Sequence, residues 1–509
     1  MSAAMESIGS SVIGSRTGQV ACVSALVFLC CAAGAGVATE LVSPPLIALT
    51  AVAIAAVYLV SLPRNRHLLR VEAPFALLIL SIVQWRTRTL AASTSSPIDS
   101  TVLIGAALQA CALALAAWSL TLSDRGRWSG TTVPLLAMAG FAAVGLIAAP
   151  LAEKSNLAAY QAFEVGISLF VLYSALKAAP DAVPRLARLL FVATVVLVVV
   201  VWLGALADPG QGFQPIKDFQ GGVASPINVR LHGVFPATNS DTVGIYGSFL
   251  CLWSLSLGVH SSSIRRRRYF ALSAFGLLTV LISQYRTGYL IVAVGVLLLF
   301  ALTAARRPVP ALIFTGAALG VGVAVLLIAG PDVGHVQEGL LSRGQNQSQT
   351  SSANGRLQIW EGDVRVWEES PIVGHGLASA TRYEVIAPSG GELNQAHSTW
   401  FEALAGTGTL GTAFLLVAVL ATGFDLLRRR LVIPAVLWIA LVALSITSVS
   451  MDSMTYGFLV YILLIGCCGD VSLENSSAAE LLGASAAGRP PPTRFAGQSN
   501  WGQPGHAAS

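Results

Sequence analysis

Charged residues are scarce in this chain. Only 11% of its 509 residues are Asp, Glu, Lys or Arg, and only three of these are Lys, whereas a typical soluble domain carries about 25% charge. Hydrophobic residues make up 54% of the chain, and its mean hydropathy is +0.71. So little charge excludes a soluble globule of this size and predicts an integral membrane protein.

Several common catalytic signatures are also missing. The sequence has no glycine-rich phosphate loop ending in GKS or GKT, no HExxH helix and no CxxC pair. Its seven Cys lie in apolar segments without the spacing of metal ligands, and no run of acidic residues has that spacing. We therefore expect no metal, no cofactor and no use of ATP, and nucleic acid is not an expected partner.

Apolar segments follow one another along most of the chain. About 20 apolar residues cross the roughly 30 Å hydrocarbon core of a bilayer. These segments predict an all-α polytopic integral membrane protein with about 12–14 transmembrane helices, the lower number applying if the short third and ninth segments do not span. The candidates are 18–38, 41–62, 73–85, 101–122, 131–150, 157–176, 186–206, 242–260, 269–284, 288–305, 309–330, 400–424, 431–450 and 453–468.

The distribution of positive charge predicts the orientation. Cytoplasmic loops are enriched in Lys and Arg, and with the N-terminus inside, 20 of the 30 basic residues fall on the cytoplasmic side. The predicted organisation is a cytoplasmic N-terminus at 1–17, helices 1–11 at 18–330 with an outer loop at 208–241, a large extracytoplasmic loop with an amphipathic helix at 331–398, C-terminal helices at 399–468 and a disordered cytoplasmic tail at 469–509.

Four arginines fall on the predicted outer face in distinctive contexts. They are Arg230 in RLHGVFPATN, Arg286 in SQYRTG, Arg356 in ANGRLQIW and Arg382 in ATRYEV. A guanidinium group matches the geometry of phosphate oxygens and keeps its charge, so the group suits a diphosphate. The alternative is that these side chains snorkel to the interface or pair with nearby carboxylates such as Asp241.

The large loop contains a predicted amphipathic helix that begins near Arg356. Leu357, Trp360, Val364 and Trp367 recur at spacings of three and four residues, which is one face of a helix. We expect this helix to lie along the outer membrane surface with its tryptophans at the headgroup level. Its N-terminal dipole would favour an anion, although an ordinary amphipathic helix packed on the bundle explains the pattern equally well.

His397 stands directly before another predicted helix. Thr399 and Glu402 match a capping box, so Glu402 is interpreted as a cap rather than a catalytic group. An imidazole accepts a proton near neutral pH, which makes His397 a candidate general base. His232, His335 and His375 are also predicted outside, and chemistry alone does not rank the four.

The order of these motifs resembles that of the O-antigen ligase and O-antigen polymerase superfamily of polytopic, lipid-linked glycan transferases. RLHGVFPATN, SQYRTG, GRLQIW, PIVGHG and HSTWFEALAGTGTLG are similar to the family's successive motifs and cover roughly residues 225–415. Ser398 stands where many ligases have Asn, and the N-terminal half matches only as hydrophobic spans.

The resemblance implies an enzyme of the bacterial inner membrane and the cell envelope. It would transfer a glycan from undecaprenyl diphosphate, or a related polyprenyl diphosphate, to a glycan or lipid acceptor at the outer face without metal or ATP. His397 and Arg286 would be catalytic, and Arg230, Arg286 and Arg356 would bind the diphosphate. Membrane lipids and polysaccharide assembly proteins are the other expected partners.

Three alternatives remain open from the sequence. The polymerase is the preferred interpretation, and a ligase acting on a terminal acceptor is the second. A small-solute transporter, such as one for bicarbonate, belongs to another class; it would need polar groups near the membrane midplane, whereas the candidate residues are predicted at one surface. A membrane scaffold for polysaccharide assembly is the third alternative.

Overall fold

The computed structural model of the protein describes residues 66–83, 100–122, 132–215, 229–261, 263–304, 356–378, 380–383, 385 and 395–469. Helices dominate this part of the chain, with one short two-stranded sheet, so the all-α class is confirmed. In chain order the elements are α1 Arg66–Ser81, α2 Ser100–Thr121, α3 Val133–Ala148, α4 Ser155–Ala178, α5 Ala182–Ala207, α6 Pro209–Gly212, β1 Phe213–Pro215, β2 Val229–Leu231, α7 Ser240–Val259, α8 Ser263–Ser283, α9 Arg286–Ala304, α10 Arg356–Glu369, α11 Ala380–Tyr383, α12 Thr399–Arg428, α13 Val432–Thr447 and α14 Tyr456–Gly469.

Seven helices in the described part of the chain are long and apolar enough to cross a membrane. These are α2, α3 with the 3-10 turn that extends it, α4, α5, α7, α9 and α12, and α13 and α14 are shorter apolar helices. A multi-pass membrane protein is therefore confirmed. The predicted spans 18–38, 41–62 and 309–330 lie outside the described residues, so the number of spans and the domain boundaries stay predictions.

The centre of the bundle is formed by the two C-terminal helices. Residues 458–468 of α14 are buried throughout, and nearly all of α13 is buried as well. At the start of α14 the Tyr456 hydroxyl lies 2.6 Å from Thr194 Oγ1, and its ring packs edge to face on Tyr246 with centroids 5.1 Å apart. Helices that are apolar on all sides belong in such a position, since only a buried helix lacks a polar face.

A buried carboxyl, that of Glu164, lies inside the bundle. Only 8% of Glu164 is exposed, and its Oε1 accepts a hydrogen bond of 2.7 Å from Gln109 Nε2. The Tyr160 hydroxyl donates to Gln109 Oε1 at 3.3 Å. A carboxyl that is paired in this way satisfies its polar atoms within the bundle, as burial requires.

Several helix ends and turns meet at one end of the bundle. Thr447 at the end of α13 hydrogen bonds to Thr287 at the start of α9, at 2.9 Å, and Trp400 at the start of α12 donates to Ser445 at 3.0 Å. Gln284, in the turn before α9, donates to the carbonyl of Val229 at 3.2 Å. We call this the site end.

The two large arginine clusters lie at the other end. Arg265–Arg268 open α8, whose last turn reaches the site end, and Arg428–Arg430 follow the far end of α12. This separation agrees with the predicted cytoplasmic position of the clusters, because positive charge marks the cytoplasmic side. The orientation of the protein stays a prediction.

The PIVGHG segment fills a break in α12. In an unbroken helix the N–H groups of Thr409 and Leu410 bond to the carbonyls four residues earlier. Here they donate to the carbonyls of Pro371 and Ile372 at 2.8 and 3.1 Å, and the freed carbonyls of Ala405 and Gly406 accept from the N–H groups of residues 375 and 376 at 2.9 and 2.8 Å. The outer loop is thereby joined to α12 through backbone hydrogen bonds.

Glycine is required on both sides of this junction. Gly408 has φ +61° and ψ −167°, a conformation that is essentially restricted to glycine, and a Cβ there would collide with the backbone of Ile372. Gly374 has φ +71°, and a Cβ there would lie 2.6 Å from the backbone of Gly406 and Gly408. The close approach of two backbones therefore explains the glycines of PIVGHG and of the segment after His397.

We expect Gly408→Ala to lower the free energy of unfolding by about 2–4 kcal/mol, because it adds backbone strain to a steric clash. Thermal unfolding of the detergent-purified protein measures the change. The matched control is Gly166→Ala in α4, where a new Cβ meets nothing within 4 Å, so stability should stay within about 1 kcal/mol of the parent protein. Equal effects of the two substitutions would contradict this account of the break.

Candidate functional site

Arg230 is held at the site end by a small antiparallel sheet. It lies on β2, opposite Gln214 of β1, and its neighbour Leu231 is fully buried against α5 and α7. After the sheet, the Asn239 side chain accepts from the N–H of Thr242 at 2.8 Å and caps α7. The RLHGVFPATN segment thus positions an arginine at its start and begins a helix at its end.

Arg286 is the first residue of α9 and follows a tight turn. Gln284 in that turn has φ +52° and bonds to the carbonyl that precedes Arg230. The next residue, Tyr285, is 5% exposed and packs against the position of Gly244 in α7. SQYRTG therefore links the turn between α8 and α9 to the β2 strand, which brings Arg286 towards Arg230.

Arg356 is the first residue of α10, at the N-terminal end predicted from the sequence. The buried face of α10 differs from the predicted one, however, because Ile359, Asp363 and Val366 are buried and Leu357 is 46% exposed. The reason is that residues 380–385 and α12 cover this face, and Thr381 Oγ1 donates to Asp363 Oδ1 at 2.7 Å. A buried carboxyl with a hydroxyl partner could not be recognised from apolar periodicity.

His397 lies in the short segment before α12 and has φ +54°. Its Nδ1 lies 3.3 Å from Gln395 Nε2. If the Gln395 amide nitrogen donates to Nδ1, the neutral ring carries its proton on Nε2. A Gln395 amide turned by 180° would accept from Nδ1–H and leave Nε2 able to take up a proton. Both arrangements keep one ring nitrogen directed away from Gln395.

The predicted capping box is not formed as expected. Ser398 is the N-cap of α12 and makes no side-chain cap, while Thr399 Oγ1 donates to the carbonyl of Ser448 at 3.0 Å and accepts from the N–H of Ser450 at 2.9 Å. Glu402 does accept a backbone N–H, but that of Ala396, at 2.8 Å. The loop at 448–455 competes for the Thr399 hydroxyl, and the sequence gives no sign of that contact.

Electrostatic interactions join the four predicted site residues. Arg286 experiences the positive charges of both Arg230 and Arg356, and Arg356 also acts on His397. Asp241, in the first turn of α7, acts on both Arg230 and His397. Three like charges within mutual range create a strongly positive region, which Asp241 offsets in part.

Burial shifts the pKa of two site residues that lie outside the membrane-spanning helices, Arg230 and His397. Burial lowers the pKa of Arg230, and Asp241 opposes that shift; the buried Nε of Arg230 has no hydrogen-bond partner within the described ranges. Burial and the charge of Arg356 lower the pKa of His397, against the opposing effect of Asp241. His397 is therefore neutral at pH 7, the form that accepts a proton.

The sequence did not predict the structural roles of Asp241 and Trp360. Asp241 was considered only as a neutralising partner, and Trp360 only as a membrane anchor, although Trp360 Nε1 donates to the carbonyl of Ala396 at 3.0 Å. His232 lies beside Arg230 and has its pKa lowered by burial and by that arginine. The side chain of Arg382 and the whole of His335 lie outside the described residues.

A shallow groove opens between α10 and the first turn of α12. It is lined by Leu357, Trp360, Glu361, Val364, Arg365 and Phe401. The rings of Trp360 and Phe401 stack with centroids 4.8 Å apart and planes 9° from parallel. The face of α10 that was predicted to meet the membrane surface therefore forms one wall of this groove. Among the described residues, no group of three or more His, Cys, Asp or Glu side chains is arranged to hold a metal ion.

We expect Arg356→Gln to raise the pKa of His397, because a positive charge that opposes protonation is removed, and Asp241→Asn to lower it further. Titration of isotopically labelled histidine by NMR, assigned with His397→Gln, measures both shifts. Since the folded-state pKa of His397 lies below its ordinary value of 6.5, the neutral ring stabilises the fold at pH 7, and this contribution is lost as the pH falls below about 6.5. Shifts of the same sign in the two variants would contradict the arrangement of charges.

Comparison with known proteins agrees with the order of the motifs. Residues 271–416 match the family model described as O-Antigen ligase, a range that includes Arg286, Arg356, PIVGHG and His397 and leaves out Arg230. No curated protein matches the chain significantly. The motif-based recognition is thus confirmed by residues 271–416, and this region of the chain is similar to the O-antigen ligase family.

Proposed function

We propose that this protein is a glycosyltransferase of the bacterial inner membrane that joins lipid-linked oligosaccharide units into a polysaccharide. Its donor is a glycan on a polyprenyl diphosphate, and its acceptor is a second glycan at the outer face. The single observation that carries the proposal is the gathering of Arg230, Arg286 and Arg356 with a neutral His397 at one end of the bundle. The match of residues 271–416 to the O-Antigen ligase family model supports a glycan-transferring role.

The arginines would stabilise the leaving group. During transfer the bond between the anomeric carbon of the donor sugar and the diphosphate oxygen breaks, and its electron pair remains on the diphosphate. Preorganised positive charge lowers the energy of such a transition state, because the charge develops where the donors already point. Arg286, which lies within the fields of Arg230 and Arg356, is the residue that we assign to this developing charge.

His397 would act on the acceptor. The acceptor hydroxyl oxygen forms the new bond to the anomeric carbon, and its proton passes to the imidazole. A pKa held below the ordinary value keeps His397 unprotonated and ready at neutral pH. A positioned general base typically contributes 10²- to 10⁴-fold to the rate. The reaction balances without ATP or metal, since cleavage of the bond between the sugar and the diphosphate supplies the driving force.

A ligase is the second candidate, because the matching family model is described as O-Antigen ligase. The chemistry at His397 and the arginines would be the same, and only the acceptor would differ. A transporter fits the charges less well. It would need its polar binding groups near the membrane midplane, whereas Arg230, Arg286 and His397 all lie near helix starts or outside the helices. Partner proteins of polysaccharide assembly remain part of the proposal.

We expect His397→Ala to lower transfer at least about 100-fold and Arg286→Ala about 100- to 1,000-fold. Surface glycan length and the lipid-linked precursor are measured in cells that carry each variant. Accumulated single repeat units would support the polymerase, and accumulated long lipid-linked chains the ligase.

The control is Arg267→Ala, an exposed arginine at the end of the bundle away from the site. It removes the same kind of charge and should leave the glycan unchanged. An unaltered glycan in the His397 and Arg286 variants, at normal expression, would overturn the proposed function.

We also expect EDTA and the omission of ATP to leave transfer by the purified, reconstituted protein unchanged. The proposed chemistry uses only arginine charge and an imidazole, so removal of divalent cations should not change the rate of transfer. Release of polyprenyl diphosphate from a lipid-linked donor measures the rate, with added Mg²⁺ as the comparison. A loss of activity that Mg²⁺ restores would show that the catalytic mechanism is incomplete.

A further inference from the structure

Both backbone polar groups of Ala396, the residue before His397, are hydrogen bonded. The N–H of Ala396 donates to Glu402 Oε2 at 2.8 Å, and the carbonyl of Ala396 accepts from Trp360 Nε1 at 3.0 Å. Ala396 itself is fully buried. Glu402 belongs to the first turn of α12 and Trp360 to α10, so this residue joins two elements that carry the site.

His397 needs such support because of its backbone. Its φ of +54° lies in the left-handed region, which is strained for a residue other than glycine and persists only where surrounding contacts enforce it. The chain is fixed again two residues later, where the Thr399 hydroxyl bonds to Ser448. With Ala396 and Thr399 both held, the conformation of His397 between them is constrained.

Packing alone does not account for a carboxyl at position 402. Glu402 is 3% exposed, and burying a carboxylate costs free energy unless it is paired. Its field reaches two further buried acids, Asp363 on α10 and Asp452 in the loop after α13, which are 0% and 1% exposed. The N-cap of α12 is Ser398 and not Thr399, so a capping box does not explain the carboxyl of Glu402 either.

The two neighbouring acids respond to Glu402. Burial and the charge of Glu402 raise the pKa of Asp363 to about 8, and the same two causes raise the pKa of Asp452 well above its ordinary value. Asp363 is therefore mainly protonated at pH 7. Within this group of three acids, Glu402 is the one that accepts the N–H of Ala396.

We propose that Glu402 is a positioning residue that holds His397 in its left-handed conformation through the Ala396 N–H, with Trp360 holding the carbonyl of the same residue. This inference rests on the proposed role of His397. The side chain of Glu402 acts through the backbone and touches neither donor nor acceptor. It would set the direction of the imidazole relative to Arg356 and Asp241.

Two substitutions at this position separate the hydrogen bond from other effects. In Glu402→Gln the amide oxygen still accepts the N–H of Ala396, so kcat should stay within about threefold of the parent protein. Glu402→Leu removes the acceptor at similar volume, and kcat should fall about 10- to 100-fold with little change in KM for the donor, as expected when a reacting group is misplaced.

The second measurement does not depend on activity. Hydrogen–deuterium exchange of the peptide that covers residues 395–401 should be faster in Glu402→Leu and unchanged in Glu402→Gln. Trp360→Phe keeps an aromatic ring on Phe401 but removes the bond to the Ala396 carbonyl, and it should also speed exchange and lower kcat. This variant keeps the test open if Glu402→Leu does not fold.

The outcomes are distinct. Parent-like exchange and kcat in folded Glu402→Leu or Trp360→Phe would overturn the inference, and so would a loss in Glu402→Gln as large as that in Glu402→Leu. Full activity in His397→Ala would instead overturn the proposed function, whatever the result at Glu402.

Discussion

Irregular backbone at the site end must find hydrogen-bond partners within the protein, because lipid offers none. The break in α12 at Gly408 and the PIVGHG segment meet this requirement together. Two helical hydrogen bonds are replaced by four bonds between the helix and the loop, from Pro371 to Gly376. Non-helical backbone is tolerated at membrane depth only where protein or water satisfies it. The segment from Pro371 to Gly376 is therefore a structural part of the bundle.

The same junction explains why the site is found where two distant parts of the chain meet. Arg356 on α10 and His397 before α12 are brought together because α10 packs on the first half of α12. Arg230 and Arg286 approach from the other side through the bond between Gln284 and Val229. The candidate site is thus assembled from four segments, which carry the three arginines and His397. Each segment is fixed by backbone or buried contacts before any ligand is present. Preorganisation of this kind is what electrostatic catalysis requires.

Much of this architecture could be read from the sequence, since apolar length and motif order are local properties. Eleven of the 14 candidate spans coincide with helices of the described region, and the starts of α9 and α10 at Arg286 and Arg356 agree with their motifs. The buried face of α10 could not be predicted, because Asp363 is buried through Thr381, a partner 18 residues away. The role of Glu402 was hidden for a similar reason. The sequence pattern predicts a capping box, but the Thr399 hydroxyl bonds to the loop at 448–455 instead.

The break at Gly408 also divides α12 into two units. The short upper unit, 399–407, ends in carbonyls that accept hydrogen bonds from the N–H groups of residues 375 and 376. Residues 371–376 therefore help to set its orientation. His397 stands at its other end. A shift of residues 371–376 would therefore move the upper unit and, with it, the segment that carries His397.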